Sequence, residues 1–296
     1  MVDLVIVGTV AFDTVKTPFG SVKEALGGSA TYASLAARFF AKTGLVAVVG
    51  EDFDHKEIFH DNQISTNGLK IVKGKTFRWS GYYEYDMNQA HTTDTQLNVL
   101  ENFRPEIPDD YKNAECVFLA NIDPESQLHV LEQMDNPIVI MDTMNYWIEK
   151  KRDKLIDVIK KSNVLMINDA EARELFETTN LITAGKKALK VGPSAVVIKK
   201  GEHGALLFTK DRLLPICGYP LENVKDPTGA GDSFAGALSG YISKNGLSSE
   251  SLCKAVVYGS AVASYNVEDF SFNNLKKIDM NAIEARFKEF KDMVTF

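Results

Sequence analysis

The sequence predicts a doubly wound α/β fold, a mostly parallel sheet held between layers of helices, and three observations predict it. Six short runs rich in branched apolar residues recur along the chain: LVIVG (4–8), LVAVVG (45–50), CVFLAN (116–121), IVIMD (138–142), VLMIN (164–168) and AVVIK (195–199). Each run is continuously apolar instead of alternating, so both faces of each strand have to be covered, as a parallel sheet requires. Segments with helix periodicity lie between the runs, and strands that alternate with helices build βαβ units.

Taken in order, the opening MVDLVIVGTVAFD is apolar but short, contains Asp3, and lacks both a basic leader and a small-residue cleavage site. It reads as a buried first strand and not as an export signal. Residues from about 12 to 24 and from about 74 to 99 break the βα rhythm. Within the second stretch, KTFRWSGYYEYD alternates, with Phe77, Trp79, Gly81, Tyr83 and Tyr85 on one face and Arg78, Ser80, Tyr82 and Glu84 on the other. Such strands suit a small antiparallel sheet appended to the main domain. Its aromatic face needs a cover, which predicts a lid over a site or lid-to-lid pairing in a homodimer. Further on, KRDKLIDVIKKS turns Leu155, Ile156, Val158 and Ile159 toward the sheet, and NAIEARFKEF spaces Ile283, Phe287 and Phe290 by four and three. With no internal repeat, low-complexity tract or Pro/Gly/Ser linker, residues 1–296 are expected to form one domain that carries the lid.

At 296 residues, 45% hydrophobic and 25% charged, the chain can bury one large core. Its formal net charge is -7 and it has no basic run, which excludes nucleic acid as an expected partner. No apolar run is long enough to span a bilayer, so no membrane association is expected. Cys116, Cys217 and Cys253 are odd in number and fall in no metal or redox spacing, which fits a reducing cytoplasm. The five histidines likewise form no ligand spacing. No G-x-x-x-x-G-K-[ST], G-x-S-x-G or H-E-x-x-H occurs, so neither a P-loop kinase nor the corresponding hydrolases are expected.

The densest chemical signal is DPTGAGDSFAGALSGYI, Asp226 to Ile242, which begins as a turn and ends as a helix. Gly229, Ala230 and Gly231 let the backbone turn tightly and bring its N–H groups close to a ligand, and the helix that follows adds its positive end. Together they make a nest for an anion. A carboxylate at the rim of such a nest needs a task, and phosphoryl transfer supplies one: Asp232 accepts the proton of the attacking hydroxyl while the amides stabilise the moving group. Asp232 as a plain helix N-cap explains the same residues.

DPTGAGDSFAGAL resembles the C-terminal signature of the ribokinase-like carbohydrate kinases, the PfkB family, and the resemblance extends over essentially the whole chain. It implies a ribokinase-like fold, Asp232 as catalytic base, and an anion hole from the amides of Gly229, Ala230 and Gly231. GGSATYASLAARFF resembles the family's double-glycine motif, which places Gly27 and Gly28 against the acceptor. Asp13 falls where the family keeps an aspartate that holds substrate hydroxyls, and one ionised carboxylate can accept from two neighbouring hydroxyls. INDAEARELF resembles the Asn-x-x-Glu motif, implying Asn168 and Glu171 near Mg2+ and the phosphates, largely through water; the same pair spells a capping box. VVIKKGEHGALLF resembles the strand and Gly-x-x-Gly loop beside ATP, implying Gly201 and Gly204, with Lys199 or Lys200 adding charge, on the cofactor side with Thr228, although a hairpin turn also accounts for those glycines. Main-chain carbonyls at Asp226 and Thr228 correspond to a site for a monovalent cation such as K+.

The substrate half departs from the family pattern. Where ribokinases usually have an asparagine after the double glycine this chain has Tyr32, which removes donors for sugar oxygens. Tyr32, Phe12, Phe77, Trp79, Tyr83 and Tyr85 offer flat surfaces for a nucleobase, and Asn145 lies past a strand end within reach of a substrate. The resulting expectation is an ATP-dependent, Mg2+-using kinase that phosphorylates a hydroxyl, primary by preference, of a small sugar. A nucleoside kinase of the same family is the alternative, and a non-catalytic sugar or nucleotide sensor is the alternative from another class.

Overall fold

The six apolar runs all become strands of one sheet, in a computed structural model that describes residues 1–295. In chain order the strands are β1 (Leu4–Val7), β2 (Ala11–Thr17), β3 (Gly20–Gly27), β4 (Thr43–Gly50), β5 (Ser65–Val72), β6 (Phe77–Tyr83), β7 (Ala90–Gln96), β8 (Cys116–Leu119), β9 (Ile138–Met141), β10 (Val164–Asn168), β11 (Ala195–Lys199), β12 (Ala205–Thr209) and β13 (Leu213–Ile216). The helices are α1 (Ser29–Ala37), α2 (Lys56–Asp61), α3 (Pro124–Leu131), α4 (Asn145–Lys150), α5 (Arg152–Lys161), α6 (Asp169–Leu175), α7 (Leu181–Val191), α8 (Ala230–Asn245), α9 (Ser249–Asn266) and α10 (Met280–Met293).

The main sheet runs β13-β12-β11-β10-β9-β8-β1-β4-β5, parallel from β5 through to β11 and antiparallel at β12 and β13. Successive residues of each central strand feed opposite cores. Leu4 and Ile6 join Leu45, Phe118, Met166 and Val197 under α1, α8, α9 and α10, whereas Val5 and Val7 join Leu119, Met141, Leu165 and Ile198 under α3 to α7. Two buried faces per strand are what the continuous apolar runs require. The helix faces follow the periodicity: Leu155, Val158 and Ile159 are buried in α5, with Ile156 half-buried, and Ile283, Phe287 and Phe290 are buried in α10. Among the described residues no helix is long and apolar enough to cross a membrane.

Strand β5 has no counterpart among the apolar runs, for a physical reason. It lies at the sheet edge, buries only Gly68 and Leu69, and leaves Ile71 and Val72 exposed, so its sequence never shows a continuous apolar stretch.

The second sheet, ordered β3-β2-β6-β7, is the lid. Its strands span 11–27 and 77–96 and coincide with the two stretches without helix pattern. The β2–β3 and β6–β7 pairings are antiparallel hairpins, but β2 and β6 run parallel, because the chain returns to the lid only after the crossover through α1, β4, α2 and β5. Arg78 anchors the lid to the main domain. Its guanidinium pairs with Glu24 of the lid at 3.0 Å and with Asp52 after β4 at 2.9 Å, and it lies 5.2 Å over the Phe12 ring.

Small residues bring α1 and α8 together. A methyl group on Gly236 would collide with the Ala33 carbonyl, and one on Gly240 would lie 2.8 Å from the carbonyl of Ala37. The crowding of small residues after Asp232 is therefore a helix-packing requirement as well as a turn requirement.

Candidate active site

Both helices begin at the carboxyl edge of the sheet, where ligands bind in open α/β folds. At one corner, Thr9 follows β1 and braces Ser29 at the start of α1: Thr9 N donates to Ser29 Oγ at 3.1 Å and Ser29 N to Thr9 Oγ1 at 2.9 Å. Gly28 sits between them with φ 91°, and a methyl group there would lie 2.6 Å from the Thr9 carbonyl. Only glycine fits such a position. The Gly28 amide donates to Asp13 Oδ2 at 3.3 Å, and a methyl group on the neighbouring Gly27 would collide with the same oxygen. Asp13, Gly27 and Gly28 thus converge at one place in the fold. Asp13 is only 6% exposed, and burial, with smaller contributions from the charges of Asp232 and Asp226, pushes its carboxyl up to about 7 against the pull of the Gly28 amide.

At the opposite wall, Gly229 has φ 75° and caps α8, and the Tyr32 ring fills the space its side chain would need. The Ala230 amide donates to the Pro227 carbonyl at 3.1 Å, closing the turn. Ala230 is therefore committed to the turn itself and does not offer the free donor expected of it. The amides of Gly229, Gly231 and Asp232 have no acceptor among the described residues. Asp232 lies in the first turn of α8, where no side-chain cap bond forms, so the N-cap reading of this residue does not hold. Its half-buried carboxyl makes neither an ion pair nor a hydrogen bond among the described residues. Burial, then the charge of Asp142, pushes it up to about 7, while Lys199 opposes the shift.

Asn168 ends β10 and forms the full capping box. Glu171 N donates to Asn168 Oδ1 and Asn168 N to Glu171 Oε2, each at 2.8 Å. Glu171 is 5% exposed, and burial followed by the charge of Asp142 pushes its carboxyl up to about 8, with Lys199 opposing. A buried carboxylate raised by neighbouring negative charge, beside an amide oxygen, is a donor set suited to a hard cation such as Mg2+. Among the described residues no group of three or more His, Cys, Asp or Glu is disposed to enclose a metal, so an ion here would retain waters.

Lys199 ends β11 and pairs with Asp142, the residue after β9, at 2.5 Å. Burial works against the ammonium, but the charges of Asp142 and Glu171 outweigh it and hold Lys199 above the ordinary lysine range. Asp142 was legible only as the end of IVIMD; a charged residue closing an apolar strand at the carboxyl edge is the signal that marks it. Thr228 N donates to Asp226 Oδ1 at 2.9 Å, and the Thr228 carbonyl accepts from Asn266 Nδ2 at 2.9 Å.

The lid reaches both walls. The Tyr83 hydroxyl lies 3.4 Å from Thr228 Oγ1, and the lid turn sets Asn88 against Gly201, where a side chain would collide with it. Gly204 is required by the carbonyl of Ile216, which a methyl group would strike. Two expectations need correction. Tyr32 is 2% exposed and supports Gly229 from behind, so its ring offers no stacking surface. Asn145 Nδ2 donates to Glu174 Oε2 at 2.7 Å, so its amide is engaged by α6.

The raised carboxyls give a pH signature. Asp13 and Asp232 titrate near 7 when folded and near 4 when unfolded, so between those values the folded state binds more protons. Their contribution to stability is present below the unfolded pKa and is lost as pH rises through about 7. The free protein is expected to melt several degrees lower at about pH 8 than at about pH 5.5. Thermal melts of the Asp13→Asn/Asp232→Asn double variant, in which that slope flattens, check the assignment; an unchanged slope would refute it.

An unpaired acid beside free helix-start amides, opposite a second acid backed by glycines, is chemistry for moving a phosphoryl group onto a hydroxyl, and on this lidded sheet it defines a ribokinase-like small-molecule kinase. Residues 1–277 match the family model described as pfkB family carbohydrate kinase. The chain belongs to the PfkB family. It is 30% identical over 249 residues, 81% of this chain and 89% of the relative, to the cytidine kinase of Thermococcus kodakarensis. The fold is similar to that of the Methanocaldococcus jannaschii nucleoside kinase, with a TM-score of 0.78 and 21% identity over 97% of this chain and 98% of the other. It is also similar to a putative ribokinase II from E. coli solved with ATP and Mg2+, with a TM-score of 0.79 and 15% identity over 98% and 100% of the two chains.

Proposed function

We propose that this protein is an ATP-dependent nucleoside kinase that phosphorylates the primary hydroxyl of the nucleoside's sugar. The observation that carries the reading is the pairing of Asp13 with Trp79. They are register partners on β2 and β6 and so share one face of the lid. The indole is oriented by its bond from Nε1 to Thr92 Oγ1 at 3.1 Å, and Gly81 leaves room for the ring, since a side chain there would collide with it. A carboxylate for vicinal hydroxyls beside an aromatic plane suits a ribose joined to a base; a free sugar uses only the first. The cytidine kinase relative supports the same choice.

In this reading Asp13 and the Gly27–Gly28 turn orient the acceptor, and Asp232 takes the proton of the attacking hydroxyl. Even raised to about 7 the carboxylate is a weaker base than an alkoxide, but the proton moves only as the new P–O bond forms. The amides of Gly229 and Gly231 stabilise the charge on the transferred group. Mg2+ bound with ATP neutralises the phosphates, and Asn168 and Glu171 would hold it through water. Lys199 and the Gly201–Gly204 loop flank the nucleotide, and a monovalent cation such as K+ belongs to the reading at the Asp226–Thr228 turn. Lid closure excludes the water that would otherwise hydrolyse ATP.

A coupled assay for ADP against nucleosides, pentoses, hexoses and sugar phosphates tests the proposal. At least one nucleoside is expected to exceed ribose by about 100-fold or more in kcat/KM. Preference for a free sugar would overturn the nucleoside reading, and no ADP with any acceptor would point to a sensor.

A further inference from the structure

We propose that Asp142 is a positioning residue of the transfer step: it draws the Lys199 ammonium to the Gly231 end of the amide turn and so keeps that ammonium from pairing with Asp232. The inference rests on the kinase reaction but not on the identity of the acceptor.

The geometry supplies each part. Lys199 and Asp142 stand at the ends of β11 and β9, with β10 between them, so the carboxylate reaches across one strand to the ammonium. Their side chains are 16% and 6% exposed. Lys199 Nζ lies 3.3 Å from the point a methyl group on Gly231 would occupy, so glycine at that position is what lets the charge approach the turn. Asp142 is itself fixed in place. Its Oδ1 accepts from Thr143 N at 2.9 Å, and its carbonyl accepts from Gln127 Nε2 at 3.2 Å. Gln127 is 1% exposed and also bonds the Ala120 carbonyl at 2.9 Å, which ties the ends of β8 and β9 together.

A lysine ammonium is a point charge on a flexible stem, and three carboxylates compete for this one. Glu171 is committed to the Asn168 amide. Between Asp142 and Asp232 the side chain chooses Asp142, and among the described residues it forms no other ion pair. An ammonium resting on Asp232 would occupy the lone pairs that have to receive the acceptor proton. Held on Asp142 instead, it faces the position where phosphate oxygens meet the Gly231 amide, and the base remains open. Beyond the charge it places near Asp232, the carboxylate acts on the reaction through the lysine.

The test compares Asp142→Asn, Lys199→Met and the double variant, each checked by thermal melting. Calorimetry measures binding of ADP and of the non-hydrolysable β,γ-imido analogue of ATP, and steady-state assays give kcat and KM. Asp142→Asn is expected to lower kcat about 30-fold with the acceptor KM nearly unchanged. It is also expected to weaken the imido analogue about tenfold while leaving ADP within about twofold. The double variant should lose no more than Lys199→Met alone, because both changes remove one device. Additive losses, equal weakening of ADP and the analogue, or near-normal kcat in Asp142→Asn would each overturn the proposal. If Asp142→Asn does not fold, the double variant, in which both buried charges are gone, carries the test against Lys199→Met: equal kcat supports the proposal and a further tenfold loss refutes it. The binding arm needs no acceptor, so failure here is distinguishable from a wrong choice of acceptor.

Discussion

Asp232→Asn is expected to lower kcat by about 10^2- to 10^4-fold, the range that a positioned general base contributes, while the free protein melts at a higher temperature than the wild type at neutral pH. The two effects share one cause. The Asp232 carboxyl lies at the start of α8 with no ionic partner among the described residues, and burial with the charge of Asp142 pushes it up to about 7, so its ionised form is held at a cost in stability. The amide keeps the shape and removes the charge, which relieves that cost and abolishes the base. Binding of ATP and of the acceptor is expected to persist, because the amides and Asp13 are untouched. Coupled turnover assays and thermal melts on the same preparation check both parts. Near-normal turnover would remove Asp232 from the chemistry, and a lowered melting temperature would show that its carboxylate has a structural partner.

The second large effect is expected at Gly27→Ala. The added methyl would meet Asp13 Oδ2, the oxygen that accepts from the Gly28 amide. Asp13 is almost wholly buried and cannot swing aside into solvent. Displacing it by about an ångström misplaces the acceptor hydroxyl, and such an error costs about 10^2-fold in kcat/KM. The KM for ATP is expected to stay within about twofold of wild type, because the amide turn lies on the other wall. Steady-state kinetics with each substrate varied in turn separates the cases, and equal losses on the ATP and acceptor sides would place Gly27 elsewhere in the mechanism.

How far the sequence discloses this site depends on how local its causes are. The central strands announce themselves because both of their faces are buried, and the GAGD turn because its small residues sit next to one another. Asp13, Gly27 and Gly28 were legible for the same reason, with two short motifs near one end of the chain. Edge strand β5 was not legible, because it buries only two residues and shows no apolar run. The Asp142–Lys199 pair spans 57 positions and exists only because β9 and β11 end side by side across β10. Tyr32 misled for a related reason: an aromatic after a double glycine resembles a ligand platform until the fold places Gly229 on top of it. The Asn168–Glu171 motif shows the opposite case, in which the capping box and the proposed metal shell are served by the same two side chains.

The glycine-lined contact between α1 and α8 has one further consequence. Because the backbones approach closely at Gly236 and Gly240 and the Tyr32 ring of α1 packs against Gly229, the origin of one helix cannot shift without carrying the other along. Gly28 and Gly229 stand at those two origins. In the proposed reaction the gap across which phosphorus has to travel is therefore gauged by the helix scaffold and not by the lid.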